Sequence, residues 1–175
     1  DSVVFTNPTP LITACKNGDE DVVELLLKSG ADINKADNLT KETPLLAALH
    51  GSRRNRFSLA KSLIEKGADI HAVQESNSPI EETLVVLDTD SEQTIQEGFS
   101  LFKYLMQNNV DMEISWGQES MLTYASHYNN YNVVKYLIEN KYFDVNAYDS
   151  AGDTALIVAV KNNNVSIVEL LLELN

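Results

Sequence analysis

Three histidines, His50, His71 and His127, are the residues of this chain best suited to acid–base or metal chemistry. A zinc site needs histidine and cysteine ligands at short, regular spacings. None of the three has another histidine, or the single cysteine Cys15, at such a spacing. The sequence also contains no G-x-S-x-G motif and no glycine-rich phosphate loop. It therefore predicts a protein that is not an enzyme and that carries no cofactor or metal.

The acidic run from Asp88 to Glu92 imitates the start of a calcium-binding loop. Such a loop needs a glycine at its sixth position and a bidentate glutamate at its twelfth. Here Gln93 and Phe99 stand at those two positions. We therefore interpret the run as a solvated acidic insertion, and a ligand or metal site in this segment is the alternative.

One thiol and one basic cluster remain as candidates for chemistry. Cys15 is the only cysteine and cannot form an internal disulfide, so we interpret it as a buried packing residue. The basic cluster is Arg53-Arg54-Asn55-Arg56. We expect a solvated loop there, and contact with an acidic or phosphorylated partner is the alternative.

A repeated motif organises the chain that must position these residues. The segment Gly30–Asn34 returns almost unchanged as Gly67–His71, each time after an apolar stretch. Thr9-Pro10-Leu11 returns 34 residues later as Thr43-Pro44-Leu45. Self-similarity at such a spacing is typical of solenoids, in which each unit buries its apolar face against its neighbours.

Fainter copies of both motifs complete five units, which we expect to form a single domain over residues 1–175. The approximate units are 4–36, 37–73, 74–115, 116–148 and 149–175. Gly67 and Asn109 are 42 positions apart, whereas Gly30 and Gly67 are 37 apart. The third unit therefore carries an insertion.

Each unit has the local sequence of a helix–turn–helix. Thr9, Thr43 and Ser78 can cap helices, and each is followed by a proline, which is favoured at the first helical position. Gly30 and Gly67 follow the second apolar stretch, where a left-handed residue commonly ends a helix. The sequence predicts a short first helix, a second helix and an extended link in every unit.

These motifs resemble the ankyrin-repeat family, whose pattern is roughly D-x-x-G-x-T-P-L-H-x-A-A, a short loop, then V-V-x-L-L-L-x-x-G-A-D-V-N. The match runs without a gap from Thr9 to Asn34 and again from Asp149 to Leu172. The resemblance implies an all-α repeat solenoid of about five stacked helix-turn-helix units with hairpin-like connecting loops. It also implies a non-enzymatic scaffold for protein–protein interaction.

One departure from the family pattern affects how the repeats are joined. The histidine after T-P-L is absent everywhere in this chain. The replacing residues are Ile12, Leu46, Thr123 and Ile157. We therefore expect apolar packing to replace part of the inter-repeat hydrogen bonding that this histidine provides.

Charge and hydropathy narrow the choice of partners. The net charge is −13, with 26 acidic and 13 basic residues, and such a field repels the phosphates of nucleic acids. No apolar run approaches the roughly 20 residues of a membrane helix. We expect protein partners with basic or neutral surfaces, no nucleic acid, no membrane insertion and a monomeric chain. We also expect a cytoplasmic location, with secretion after removal of a signal peptide as the alternative.

The resemblance implies that partners contact the concave face and the loop tips. The positions concerned are Lys16, Asn17, Asn38, His50, Gln74, Trp116, His127, Tyr128, Tyr148, Ser150 and Lys161. Trp116 has two interpretations: it forms an aromatic contact patch with Tyr128 and Tyr148, or it folds down to fill a shortened link.

Two functions stay open at this point. The chain is either a scaffold in its own right, or a targeting or regulatory module of a larger protein, with or without an enzymatic domain elsewhere. The stacking order also predicts relative stabilities. We expect Leu26→Ala to destabilise the protein more than Leu171→Ala, because the last unit has a neighbour on one side only.

Overall fold

The computed structural model describes residues 8–52, 54–72, 78–85, 90–108 and 120–173. Within these ranges the chain forms ten α-helices and no β-strand, which confirms the predicted all-α repeat class. The helices are α1 Pro10–Asn17, α2 Glu20–Lys28, α3 Pro44–His50, α4 Arg56–Glu65, α5 Pro79–Leu84, α6 Glu92–Gln107, α7 Met121–His127, α8 Tyr131–Glu139, α9 Ala155–Lys161 and α10 Val165–Glu173. None of the helices in these ranges has both the length and the apolar character needed to span a bilayer.

The chain divides into two compact units, unit 1 from Asp1 to Glu82 and unit 2 from Thr83 to Asn175. In unit 1, α1 packs on α2 and α3, and α3 packs on α4. In unit 2, α7 packs on α8 and α9, α9 packs on α10, and α8 also contacts α6 and α10. Each unit therefore places first helices side by side, with second helices behind them. The division into one domain of five repeats stays a prediction.

The first helices begin where the sequence predicts. Four side chains accept a hydrogen bond from the backbone N–H three residues further on, at 3.1–3.3 Å. These caps are Thr9, Thr43, Ser120 and Thr154. At α5 the backbone N–H of Ser78 donates to Glu81 Oε2 at 2.6 Å, which is one half of a capping box. The buried Ser78 hydroxyl makes no hydrogen bond within the described part of the chain, so the predicted side-chain cap is absent there.

The second helices of unit 1 end at left-handed glycines. The φ angles are 89° at Gly30 and 98° at Gly67, which confirms the prediction for both positions. Only glycine adopts this conformation without a steric cost. In unit 2, α8 is followed by Lys141 with φ 55°, so a lysine takes the left-handed conformation there.

The extra residues of the third repeat lengthen a helix. The helix α6 has 16 residues, against nine in α2 and in α8. Ser91 caps it by accepting from the Thr94 N–H at 3.1 Å, and Phe102 packs edge-on against Tyr136 of α8. Asp88 and Thr89 of the acidic run lie outside the described residues. In the described part of the chain, no group of three or more His, Cys, Asp or Glu side chains is arranged to hold a metal ion.

The buried core bears on one expectation about stability. Leu171 is 0% exposed, whereas Leu26 is only half-buried. This burial favours the opposite order to the one expected from repeat position, because the more deeply buried leucine loses more packing when it is truncated. Cys15 is fully buried as predicted, and burial raises the pKa of its thiol to about 12.

Candidate partner-binding surface

The ends of the first helices carry a repeated basic residue. Each of these basic residues lies seven positions after the capping residue of its helix. They are Lys16 in α1, His50 in α3, His127 in α7 and Lys161 in α9. All four belong to the predicted contact positions, so their local partners determine what this surface can do.

In unit 1 two of these cations are paired with carboxylates. Lys16 Nζ donates to Glu42 Oε2 at 2.9 Å, while His50 Nδ1 lies 3.2 Å from Glu42 Oε1. His50 Nε2 lies 3.1 Å from Glu82 Oε1. We call Lys16, Glu42, His50 and Glu82 the ionic cluster. It joins α1, α3 and α5 and occupies the groups that were predicted to contact a partner.

The carboxylates of the ionic cluster change the titration of His50. Its pKa is raised, chiefly by the hydrogen bond with Glu82 and further by Glu42, while partial burial works in the opposite direction. The Glu42 side chain is only 8% exposed. A carboxylate so little exposed needs both of its cationic neighbours, so we assign Glu42 a structural role.

Unit 1 contains further links between successive repeats. Lys66 Nζ lies 2.8 Å from Glu24 Oε1, which connects the end of α4 to α2. The hydrogen bond from Lys66 is the main cause that lowers the pKa of the Glu24 carboxyl. In the turns, Asn34 Nδ2 donates to the Gly67 carbonyl at 3.2 Å and Asn34 Oδ1 accepts from the Asp69 N–H at 2.8 Å. Neighbouring repeats of unit 1 are therefore joined by ion pairs as well as by amides.

The corresponding cation at the end of unit 2 pairs within its own repeat. Lys161 Nζ lies 2.5 Å from Asp153 Oδ2, and the lysine side chain stays 60% exposed. Glu42 and Asp153 both lie immediately before the capping threonine, eight residues before the cation. An acid at this position with a base eight residues later is the sequence pattern that could have predicted these pairs.

Unit 2 also carries aromatic groups at the end of a first helix. The Tyr124 and Tyr128 ring centroids are 4.9 Å apart, and those of His127 and Tyr128 are 5.0 Å apart. We call Tyr124, His127 and Tyr128 the aromatic cluster. The His127 side chain is exposed, and both tyrosines are half-buried. The cluster therefore presents ring surface to solvent. It lies at the position in the repeat that Lys16 and His50 of the ionic cluster occupy in unit 1.

Two loop tips are held by aspartates and expose their neighbours. Asp149 Oδ1 accepts from the Ala151 and Asp153 N–H groups at 2.9 Å, next to Tyr148, which is 73% exposed. Ser150 is exposed on the same tip. The tip of the second repeat is fixed in the same way by Asp37, whose pKa is lowered first of all by the hydrogen bond from the Thr40 backbone. In both tips, hydrogen bonds to an aspartate fix the backbone that carries the exposed side chains.

The remaining predicted contact residues fall into two groups. Asn17, at the end of α1, and Asn38, on the second tip, are exposed as predicted. Gln74 and Trp116 lie outside the described residues, so both interpretations of Trp116 stay predictions.

Asparagines provide inter-repeat hydrogen bonds that the sequence interpretation missed. Asn130 Nδ2 donates to the carbonyls of Thr83 and Leu84 at 3.2 and 3.1 Å. Asn164 Nδ2 donates to the carbonyls of Ser126 and His127 at 2.7 and 3.2 Å. Each asparagine immediately precedes a second helix and bonds to the end of the first helix of the preceding repeat.

Unit 1 contains a related link. Asn55 Nδ2 donates to the Gly18 carbonyl at 2.9 Å, just beyond α1. Ile12 and Leu46 are fully buried, but Ile157 is 38% exposed, so apolar packing replaces the family histidine only in part. Asparagine amides provide inter-repeat hydrogen bonds in place of this histidine.

Among the described residues of the basic cluster after α3, Arg54 is exposed as expected but Arg56 is not. Arg56 is 6% exposed, and its guanidinium carbon lies 4.4 Å from the Phe57 ring centroid. The N–H of Ser52 donates to the Lys16 carbonyl at 3.0 Å, and a Cβ added at Gly51 would lie 2.3 Å from the same oxygen. The loop packs tightly against the end of α1. Arg54 is exposed, and Arg53 lies outside the described residues.

The paired helices and ordered tips define a helical repeat protein. The family model described as ankyrin repeats (3 copies) matches residues 2–74 and 93–175. The chain therefore belongs to the ankyrin-repeat family, which confirms the resemblance drawn from its motifs. Ankyrin repeats are generally protein–protein interaction modules and typically non-enzymatic.

Curated relatives carry the same family name. Ankyrin repeat protein OPG189 of vaccinia virus (strain Copenhagen) is 31% identical over 177 residues, which cover 98% of this chain and 28% of that protein. The ankyrin repeat protein YahD of Escherichia coli (strain K12) is 26% identical over 172 residues, covering 95% of this chain and 79% of that protein. The chain thus spans a little over a quarter, 28%, of the length of the viral relative.

Proposed function

We propose that this chain is a non-enzymatic scaffold that binds a partner protein through its concave face and loop tips. The observation that supports it best is the exposed aromatic surface of unit 2. Tyr148 is 73% exposed on an ordered tip, and the aromatic cluster presents its rings at the end of α7. Tyrosine is enriched among the residues that dominate protein interfaces, because its ring is large and rigid and its hydroxyl can bond.

The net charge of the chain supports one class of partner over another. With a net charge of −13, the protein attracts basic or neutral protein surfaces and repels nucleic acid. We propose a monomeric, cytoplasmic protein with no chemistry of its own. Among the proposed contact residues that the structure describes, Lys16, His50 and Lys161 are paired with carboxylates, whereas Tyr128 and Tyr148 present ring surface. The paired cations Lys16, His50 and Lys161 position the surface, while Tyr128 and Tyr148 supply the binding energy.

Paired tyrosine variants test this proposal. The test variant combines Tyr128→Ala with Tyr148→Ala, and the matched control combines Tyr104→Ala with Tyr131→Ala. The control tyrosines are 47% and 39% exposed, but they lie on the second helices α6 and α8. Partner recovery is measured by affinity capture and quantitative mass spectrometry, with circular dichroism to confirm folding. We expect the test variant to lose at least about 30-fold in recovery, since an interface tyrosine is worth about 2 kcal/mol or more.

A reversed outcome would overturn the proposal. If the control pair removes the captured proteins and the test pair does not, the working surface lies on the second helices. A separate Trp116→Ala variant distinguishes the two interpretations of that residue: a folded variant with reduced recovery supports the contact patch, and an unfolded one supports the space-filling role. Arg53→Ala with Arg54→Ala should change recovery little.

The second candidate function is a targeting or regulatory module of a larger protein with an enzymatic domain. It is supported by the length of the viral relative, of which this chain covers 28%. An antibody raised against this chain would test it by the size of the native protein that it detects. A native protein longer than 175 residues with a measurable enzymatic domain supports the module, whereas one of this length supports the independent scaffold.

A further inference from the structure

Both ring nitrogens of His50 face carboxylate oxygens. Nδ1 lies 3.2 Å from Glu42 Oε1, and Nε2 lies 3.1 Å from Glu82 Oε1. A neutral imidazole has one N–H, so its second nitrogen would direct a lone pair at a carboxylate oxygen, which also accepts only. The imidazolium form donates at both nitrogens. The geometry therefore fits the charged ring and disfavours the neutral one.

Two carboxylates contact His50, and the neighbouring helices carry further charged groups. Glu42 precedes α3 and also holds Lys16 of α1, while Glu82 belongs to α5. Arg56 begins α4 and lies over the Phe57 ring, and Glu81 of α5 accepts from the backbone of Ser78. The side chains of His50, Glu42 and Glu82 are 22%, 8% and 17% exposed, so water screens their interactions only partly.

We propose that His50 is a protonation-controlled link. It connects the end of α3 to α5 through Glu82, and to the segment before α3 through Glu42. When the ring is charged, Lys16 and His50 balance Glu42 and Glu82, and the ionic cluster carries no net charge. When the ring loses its proton, one bond to a carboxylate is lost and one net negative charge remains. Unit 1 then becomes less stable and its first-helix edge more acidic. This inference goes beyond the proposed function, because it concerns control of the surface and not the identity of the partner.

The direction of the pH effect follows from the two states of the chain. The folded protein raises the pKa of His50 above its ordinary value of 6.5, first through Glu82 and then through Glu42. The stabilisation is therefore complete below pH 6.5 and is lost as the pH rises through the raised pKa. Unit 1 is therefore more stable in mildly acidic solution than in alkaline solution.

The primary test is an NMR titration of the imidazole groups in the intact chain. His50 is assigned by comparison with His50→Gln, and Glu82→Gln is titrated in parallel. We expect His50 to titrate above 6.5 in the wild type and to move towards that value in Glu82→Gln. A His50 ring that titrates at or below 6.5 in the wild type would overturn the proposal.

The second test is the urea midpoint at pH 6 and at pH 8.5. His127→Gln is the matched control, because His127 occupies the same register of its own repeat and lies against the Tyr128 ring. The wild type and the control should lose stability between the two pH values, and His50→Gln should lose clearly less. An equal loss in all three proteins would contradict the proposal, and if His50→Gln does not fold, the wild-type titration decides.

Discussion

The two units use one register of the repeat in different ways. In unit 1 the cations at the ends of α1 and α3 are bound by Glu42 and Glu82, and Lys66 is bound by Glu24 of the preceding repeat. In unit 2 the end of α7 carries aromatic rings, and Lys161 pairs with an acid of its own repeat. Among the described residues of unit 2, no ion pair in the structure joins one repeat to the next.

This difference teaches that a position which faces partners in a repeat protein can instead hold the repeats together. A charged side chain that is paired internally has little left to offer a partner, since a new contact must first break the old one. An exposed ring next to an ordered tip carries no such penalty. We therefore assign structure to the ionic cluster and recognition to the aromatic cluster with Tyr148.

The largest expected effect concerns the core of each unit. Leu171 of unit 2 is 0% exposed, so Leu171→Ala should cost about 2–5 kcal/mol in urea unfolding. Leu26 of unit 1 is half-buried, and Leu26→Ala should cost less than about 2 kcal/mol. Leu172→Ala is the control, because this neighbour is 60% exposed and should change stability by less than about 0.5 kcal/mol. A larger cost for Leu26→Ala than for Leu171→Ala would contradict this prediction and support the order expected from repeat position.

The next effect tests the amide links of unit 2. Asn130→Ala removes the donor to Thr83 and Leu84 and also the cap of α8, where Asn130 Oδ1 accepts from the Val133 N–H. The loss of the cap, together with the loss of the donor to two buried carbonyls, should cost about 2–3 kcal/mol. Asn140→Ala is the matched control, since its amide bonds only to the exposed turn of its own helix at Tyr136. Similar costs for the two variants in urea unfolding would contradict the role of Asn130 as a link between repeats.

A smaller effect separates the acids that precede the two capping threonines. Glu42→Gln removes the carboxylate that Lys16 and His50 share, whose side chain is only 8% exposed, while Glu82 stays next to His50. It should cost about 1–3 kcal/mol. Asp153→Asn affects one lysine that is 60% exposed, and it should cost at most about 1 kcal/mol. Both are measured by urea unfolding at pH 6.5. Equal costs would mean that the two units do not differ in their use of charge.

The local parts of this fold could be predicted from sequence. Thr9 and Thr43 bond to an N–H three residues away, and Gly30 must be left-handed because the helix ends there, so short motifs contain the information. The ionic cluster depends on residues far apart in the chain. Glu82 is 32 residues from His50, and only the stacking of repeats brings them together.

The candidate site could be predicted only as a set of positions. Lys16, His50 and Lys161 fall at the predicted register, but their carboxylate partners were not identified. Asn130 and Asn164 were missed because the family pattern assigns the inter-repeat hydrogen bonds to the histidine after T-P-L. An asparagine directly before a second helix is the pattern to search for in other repeats.

The salt dependence of two variants tests the central comparison most directly. The costs of Glu42→Gln and Asn130→Ala are measured in about 0.1 M and about 1 M NaCl, where the screening length falls from about 10 Å to about 3 Å. General effects of salt on the core cancel in each difference from the wild type. We predict that the cost of Glu42→Gln falls at high salt, because Lys16 is half exposed, while the cost of Asn130→Ala stays unchanged. An equal response of both variants would contradict the claim that ion pairs join the repeats of unit 1 in addition to amides, whereas amides join those of unit 2.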